Sequence, residues 1–106
     1  MPKSDKSARL PRSTDYTKAF LKDWDRLSQT KRYNMAQLKD AMMVLISNDA
    51  LLGPEWKDHA LKGDWLGTRE CHIGGDFLMI YELSDDAGAI GKIVFVRIGT
   101  HSELFK

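Results

Sequence analysis

The order of the sequence patterns limits the fold more than any other feature, because two helical patterns come first and three strand patterns follow. Apolar residues at Tyr16, Phe20, Trp24 and Leu27 recur at steps of four, four and three. This spacing places them on one face of a helix. Thr14 precedes the pattern and is its predicted N-cap. The first of the two helical patterns therefore predicts an amphipathic helix.

A second helix is predicted to begin after Asn34, where apolar residues again recur at steps of three and four. The polar stretch 28–33 is short enough to join two antiparallel helices. Ahead of both helices, segment 9–13 contains Pro11, which restricts it to an edge strand. Residues 48–66 are rich in turn-forming residues and are predicted to be a loop.

Three strands are predicted at 68–73, 77–83 and 92–98, because these segments are rich in β-branched and aromatic residues. Their connections are short enough for hairpins, so the strands form an antiparallel meander. The fold class is therefore α+β, with an N-terminal helix pair packed on a small antiparallel sheet in the order β-α-α-β-β-β. Residues 9–106 form a single domain, and residues 1–8 form a disordered basic extension.

Composition excludes several classes of protein. Cys71 is the single cysteine, so neither an intramolecular disulfide framework nor a multi-cysteine metal site is available. No apolar run approaches the roughly 18–20 residues that span a bilayer. The first residues also lack the apolar stretch of a secretory signal. We therefore expect a cytoplasmic protein that has no membrane partner.

The net charge of +1 is low for a protein that binds nucleic acid through bulk attraction. Any contact with RNA must therefore depend on a local arrangement of side chains. Arg69 and Arg97 are candidates for bidentate contacts with a phosphate, or else form ordinary salt bridges. Phe77 and Phe105 are candidates for stacking on RNA bases.

Histidines supply the candidate chemistry. His59 lies in the loop, His72 in the first meander strand and His101 just beyond the last strand, while Asp76 lies in the turn after His72. The first and third meander strands run in the same direction and end at the same sheet edge, so His72, Asp76 and His101 are expected to converge there. Histidine titrates near neutral pH and can either accept or donate a proton.

Two chemistries remain open for this set of residues. Cleavage of RNA without metal requires a base for the 2′-hydroxyl, an acid for the leaving 5′-oxygen and stabilisation of the phosphorane charge, which histidines and a carboxylate can supply. A zinc site formed by His59, His72, His101 and Asp76 is the alternative, although these ligands are dispersed along the chain rather than closely spaced. Spacing alone does not choose between them.

Four motifs occur in one order: KDHALKGDWLG at 57–67, RECHI at 69–73, DFLMIY at 76–81 and RIGTHSELF at 97–105. In these motifs the chain resembles the YafQ branch of the RelE/ParE toxin superfamily. The resemblance covers about residues 9–106 and is concentrated in the second half. It implies a RelE-like fold and a type II toxin that is neutralised by a cognate antitoxin.

The resemblance also implies an activity: a metal-free messenger-RNA endoribonuclease, with no cofactor, that acts in the ribosomal A site by 2′-hydroxyl attack. By analogy with the family, His101 is the general acid, Asp76 with His72 is on the base side, and His59 stabilises the phosphate. The family's terminal aromatic residue corresponds to Phe105. The alternative from the same superfamily is a ParE-like toxin that inhibits DNA gyrase by binding, which would not need these four residues together.

Overall fold

The structure, a computed structural model, describes residues 10–48, 52–84 and 91–105. The predicted extension at 1–8 and residue 9 of the predicted edge strand lie outside these ranges. The strands are β1 (Ser13–Tyr16), β2 (His59–Ala60), β3 (Arg69–Gly74), β4 (Phe77–Ser84) and β5 (Lys92–Gly99). The α-helices are α1 (Lys18–Ser28), α2 (Met35–Ser47) and α3 (His101–Leu104). Two single 3-10 turns lie at Pro54–Trp56 and Gly63–Trp65.

One sheet of five strands carries the fold, in the order β1-β5-β4-β3-β2. Strands β2 to β5 pair antiparallel, as the short hairpin connections predict. Strand β1 pairs parallel with β5, from which the helix pair and strands β2 to β4 separate it in the sequence. The predicted α+β class and the helix-then-meander order are confirmed. The sequence patterns did not predict β2, α3 or the parallel edge.

The N-terminal boundaries differ from the prediction by several residues. The edge strand begins at Ser13, and Tyr16 pairs with Phe95 instead of opening the first helix. Thr17, not Thr14, is the N-cap, since its hydroxyl accepts a hydrogen bond from the Phe20 N–H at 2.9 Å. Pairing with β5 thus decided a boundary at which the local pattern fits both a strand and a helix. The second helix begins after Asn34, as predicted.

The helix pair packs on one face of the sheet and forms the main core. Phe20 and Leu27 of α1 and Leu38 of α2 contact the buried side chains of β3, β4 and β5 on this face. A smaller core on the opposite face contains Leu78, Ile80 and Leu104. Strand β4 is therefore buried on both faces, and α3 is held against the second face by Leu104. Among the described residues no helix is long and apolar enough to cross a membrane.

Candidate active site

Three elements meet at one rim of the sheet. His72 lies near the end of β3, Asp76 lies in the turn to β4, and His101 is the first residue of α3, directly after β5. Because β4 runs antiparallel between β3 and β5, both outer strands end at this rim. The ring centroids of His72 and His101 lie 5.9 Å apart, and those of His59 and His72 lie 6.4 Å apart. The expected convergence of the three histidines is present.

His101 and Asp76 form a direct pair. The Nδ1 atom of His101 lies 2.8 Å from Oδ1 of Asp76, and the backbone N–H of His101 donates to the same oxygen at 3.1 Å. The backbone hydrogen bond, followed by the one from the ring, lowers the pKa of the Asp76 carboxyl. Both side chains are more than half exposed. The pair fixes the ring orientation and occupies Nδ1, so Nε2 is the nitrogen left for a substrate.

A second carboxylate, which the sequence analysis missed, lies beneath the other two histidines. The side chain of Glu70 is only 4% exposed, and its Oε1 atom lies 3.3 Å from Nε2 of His59 and 3.4 Å from Nε2 of His72. A buried carboxylate needs such partners because desolvation otherwise penalises its charge. The signal was present in the sequence, since residues two apart on a strand share a face. Glu70 and His72 stand in this relation.

Backbone pairing places His59 against the same carboxylate. Strand β2 pairs His59 with Glu70 of β3. The other ring nitrogen of His59, Nδ1, lies 2.8 Å from the carbonyl oxygen of Lys57. Both nitrogens thus face oxygen acceptors, and an imidazolium donates to both at once. Contacts at both nitrogens thus orient the ring of His59.

Of the two predicted stacking residues, only Phe105 is placed near the histidines. Its ring centroid lies 5.8 Å from that of His101 and 5.9 Å from that of Trp65, and the side chain is half-buried. Phe77 is 3% exposed and its ring packs 4.9 Å from that of Tyr33 in the main core. The structure therefore corrects the expectation for Phe77, whose ring offers RNA no free face.

The two candidate arginines both have carboxylate partners away from the histidines. The Nε atom of Arg97 lies 2.7 Å from Oδ2 of Asp23, and its Nη2 atom lies 3.1 Å from Oδ1. The Nε atom of Arg69 lies 2.7 Å from Oδ1 of Asp58, which also accepts a hydrogen bond from Tyr81. Both guanidinium groups thus form salt bridges between elements of the fold, which is one of the two roles that the sequence allowed.

Within the described residues one group of side chains has metal-ligand geometry. One ligand atom each from Glu70, His72 and His101 can be chosen so that all three lie within 4.8 Å of one another. Imidazole nitrogen and carboxylate oxygen are donors that zinc and copper accept. The set differs from the one considered from sequence, because it contains Glu70 in place of Asp76 and His59. The same atoms therefore suit either proton transfer or a metal ion.

With this geometry established, comparison with known proteins identifies the family. The family model described as a bacterial toxin of a type II toxin–antitoxin system, YafQ, matches residues 12–106. The chain belongs to the YafQ toxin family. It is 36% identical over 96 residues to the mRNA interferase toxin YafQ of Escherichia coli K12, covering 91% of this chain and 98% of that protein.

Solved structures agree with the YafQ assignment. The toxin in the E. coli DinJ–YafQ toxin–antitoxin complex superimposes with a TM-score of 0.77 at 36% identity, covering 92% of this chain and 100% of that one. A metal-bound toxin from Helicobacter pylori superimposes with a TM-score of 0.74 at 32% identity, covering 89% of this chain and 99% of that one. A relative within this fold is thus known in a metal-bound form.

Proposed function

We propose that this YafQ-family chain is an endoribonuclease toxin that cleaves messenger RNA on the translating ribosome in the cytoplasm. One observation carries the proposal. His101 with Asp76 and His72 with Glu70 are two histidine–carboxylate pairs whose rings lie 5.9 Å apart. Such a spacing fits an acid and a base on either side of one phosphodiester. The name of the E. coli relative, an mRNA interferase, supports the same activity.

The base is His72 in this proposal. When its Nε2–H faces Glu70, the Nδ1 lone pair is available to take the proton of the 2′-hydroxyl, and the Glu70 carboxylate stabilises the imidazolium that results. Asp76 is the poorer acceptor, because its hydrogen bonds from His101 lower its pKa. Asp76 therefore orients His101 instead of removing the proton itself.

The acid is His101, which gives its Nε2 proton to the leaving 5′-oxygen. The O2′–P bond forms and the P–O5′ bond breaks, so the products are a 2′,3′-cyclic phosphate and a 5′-hydroxyl. His59, which lies beside Glu70, is the residue that stabilises the charge on the phosphorane. Phe105, beside the His101 ring, stacks on an adjacent base. Neither Arg69 nor Arg97 contacts the phosphate in this scheme, since each guanidinium is paired with a carboxylate.

The partners are the ribosomal A site with its messenger RNA, and a cognate antitoxin. The net charge of +1 supports dependence on the ribosome, because a chain of this charge has little bulk attraction for free RNA. The E. coli relative has been solved in complex with the antitoxin DinJ. We propose that an antitoxin encoded beside this chain binds it and blocks the histidine rim.

The decisive experiment induces the chain alone in bacteria and maps messenger-RNA 5′-ends. Wild type should create new ends within translated codons. His101→Ala, with its folding checked by circular dichroism, should reduce their formation about 10²–10⁴-fold, the usual value of a positioned acid or base. Undiminished cleavage by this variant would remove His101 from the mechanism. Intact messenger RNA together with DNA-damage signalling would instead favour the gyrase-binding alternative.

A further inference from the structure

A cavity of about 290 Å³ adjoins the catalytic rim on the His72 side. Its lining includes Gln37 of α2, Trp56 and Lys57 from the 3-10 turn and its end, and His72 and Gly74 of β3. It does not include His101. The volume lies near the lower end of the roughly 300–1,000 Å³ that small-molecule pockets occupy. A single planar ring system suits it better than a larger ligand.

The wall of the cavity is partly an open strand edge. Strand β2 pairs with β3 only at His59–Glu70 and Ala60–Arg69, and no described strand covers the outer edge of β3 beyond this point. The Leu61 N–H donates to the Thr68 carbonyl at 3.0 Å, so alternate residues of β3 direct their backbone groups outward. By this alternation the N–H and C=O of His72 face the cavity. An open edge of this kind offers a donor and an acceptor to a ligand.

The side chains provide the remaining contacts. Trp56 packs one part against the main core and presents the rest to the cavity, so it is a half-buried aromatic surface held in place. The Gln37 amide is oriented by Asn34, whose Nδ2 donates to Gln37 Oε1 at 3.2 Å. Gln37 lines the cavity, and its Nε2 atom makes no hydrogen bond within the described residues. Exposed Glu55 and Lys57 add charges of opposite sign to the lining.

We propose that this cavity binds the nucleobase of the nucleotide on the 5′ side of the cut, whose 2′-hydroxyl attacks. An aromatic face, an amide and an open strand edge are together the features that hold a nucleobase. The 5′ nucleotide is the one that fits, because the cavity shares His72, the base of the reaction, and lies away from His101, the acid. This inference rests on the proposed ribonuclease function.

The test uses the full chain and ribosomes programmed with messenger RNA. One RNA is unmodified, one carries an abasic ribose that keeps its 2′-hydroxyl on the 5′ side of the cut, and one carries the abasic ribose on the 3′ side. We expect the 5′ abasic residue to slow cleavage by wild type about 5- to 150-fold, as expected for the loss of one stacked base. Cleavage of the unmodified RNA is the separate test of the proposed function.

Two variants of the cavity lining test whether the abasic effect arises there. Trp56→Leu keeps an apolar contact with the core but removes the aromatic surface. This variant should cleave unmodified RNA slowly, and the 5′ abasic RNA should be cleaved no more slowly than that. Gln37→Ala is the second variant and does not alter the contact between Trp56 and the core. It should reduce the difference in cleavage rate between unmodified and 5′ abasic RNA. Leu66→Ala alters an exposed apolar residue outside the cavity and should behave as wild type. An abasic effect that is absent in wild type, unchanged in both cavity variants, or confined to the 3′ side would overturn the inference.

Discussion

At the scale of single residues, a buried carboxylate organises the charges of the rim. Glu70 has Oε1 within 3.4 Å of two imidazole nitrogens and is almost inaccessible to water. In such a place, the electrostatic interaction with each ring is stronger than it would be at the surface. The exposed pair of Asp76 and His101 is screened by water and acts mainly through its geometry. The two carboxylates thus have different roles although both contact histidines.

The first prediction concerns this buried carboxylate. Glu70→Gln keeps the shape of the side chain but removes the negative charge that stabilises the His72 imidazolium. We expect the single-turnover rate on programmed ribosomes to fall by on the order of 10²–10⁴, as for other lost partners of a catalytic histidine. Glu82→Gln, on the exposed part of β4, is the matched control. Equal rates for the two variants would show that Glu70 has no part in the reaction.

A second prediction at this scale follows from the ligand geometry of Glu70, His72 and His101. Zinc or copper bound by these atoms would occupy the nitrogens that transfer protons. Cleavage should therefore continue in excess chelator, and added Zn²⁺ should inhibit it until the chelator removes the ion. Loss of activity in chelator that Zn²⁺ restores would contradict the metal-free mechanism. Metal content of the purified protein is the accompanying measurement.

At the scale of elements, Asp23 joins α1 to β5 just before the rim that carries His101. Its buried carboxylate accepts hydrogen bonds from Arg97, from Arg26 at 3.0 Å and from the Ile98 N–H at 3.2 Å. The Arg26 guanidinium also reaches Glu103 of α3 at 2.8 Å. This chain of ion pairs connects the first helix with the short helix that carries His101. The orientation of α3 depends on a contact with a distant part of the sequence.

Asp23→Ala should be strongly destabilising, because it leaves the Arg97 charge and the Ile98 N–H without their acceptor. We expect the free energy of unfolding in urea to fall by about 2–4 kcal/mol, the range for a broken, largely buried ion pair with some remaining access to water. Asp40→Ala, on the exposed face of α2, should change it by no more than about 0.5 kcal/mol. A similar small change for Asp23→Ala would refute this account of the connection.

Glu103 gives a prediction for pH. Its pKa is lowered, chiefly by the Thr100 N–H of the capping box and also by Arg26. A carboxyl with a lowered pKa in the folded state stabilises the fold above its ordinary pKa of 4.5, and this contribution is lost as pH falls through the lower folded value. Glu103→Gln keeps a cap acceptor without the charge. Its stability deficit relative to wild type should therefore shrink on acidification.

Urea unfolding of both proteins at about pH 7 and about pH 3 measures this deficit. Glu82→Gln serves again as the control, since no described ion pair involves Glu82 and its deficit should show no such dependence. A Glu103→Gln deficit that stays constant or grows on acidification would mean that the capping hydrogen bonds, and not the charge, stabilise α3.

At the scale of the whole molecule, the near-neutral net charge limits how the toxin finds RNA. With a net charge of +1, the protein as a whole attracts free RNA only weakly. We expect the same messenger RNA to be cleaved when it lies in the A site and left intact when it is free at physiological salt. Equal rates on both substrates would remove the ribosome from the proposal. Comparison with His101→Ala distinguishes cleavage by the toxin from cleavage by contaminating nucleases.

Sequence alone determined the helix pair, the meander and the set of candidate histidines, because these depend on local periodicity and on residue type. The sequence also predicted the order of the three meander strands, since the short turns between β3, β4 and β5 make consecutive strands neighbours. The convergence of His72, Asp76 and His101 could therefore be inferred before any coordinate was known.

Only the tertiary structure decided the remaining features, because they depend on contacts between distant residues. The parallel pairing of β1 with β5 moved the start of α1. Burial removed Phe77 from the stacking residues and engaged Arg97 with Asp23, which is 74 positions away. The pairing of His59 with Glu70 placed a buried carboxylate at the centre of the site. Periodicity shows which side chains lie on the same face of an element. Burial and ion pairing depend on the residues that the fold places against that face.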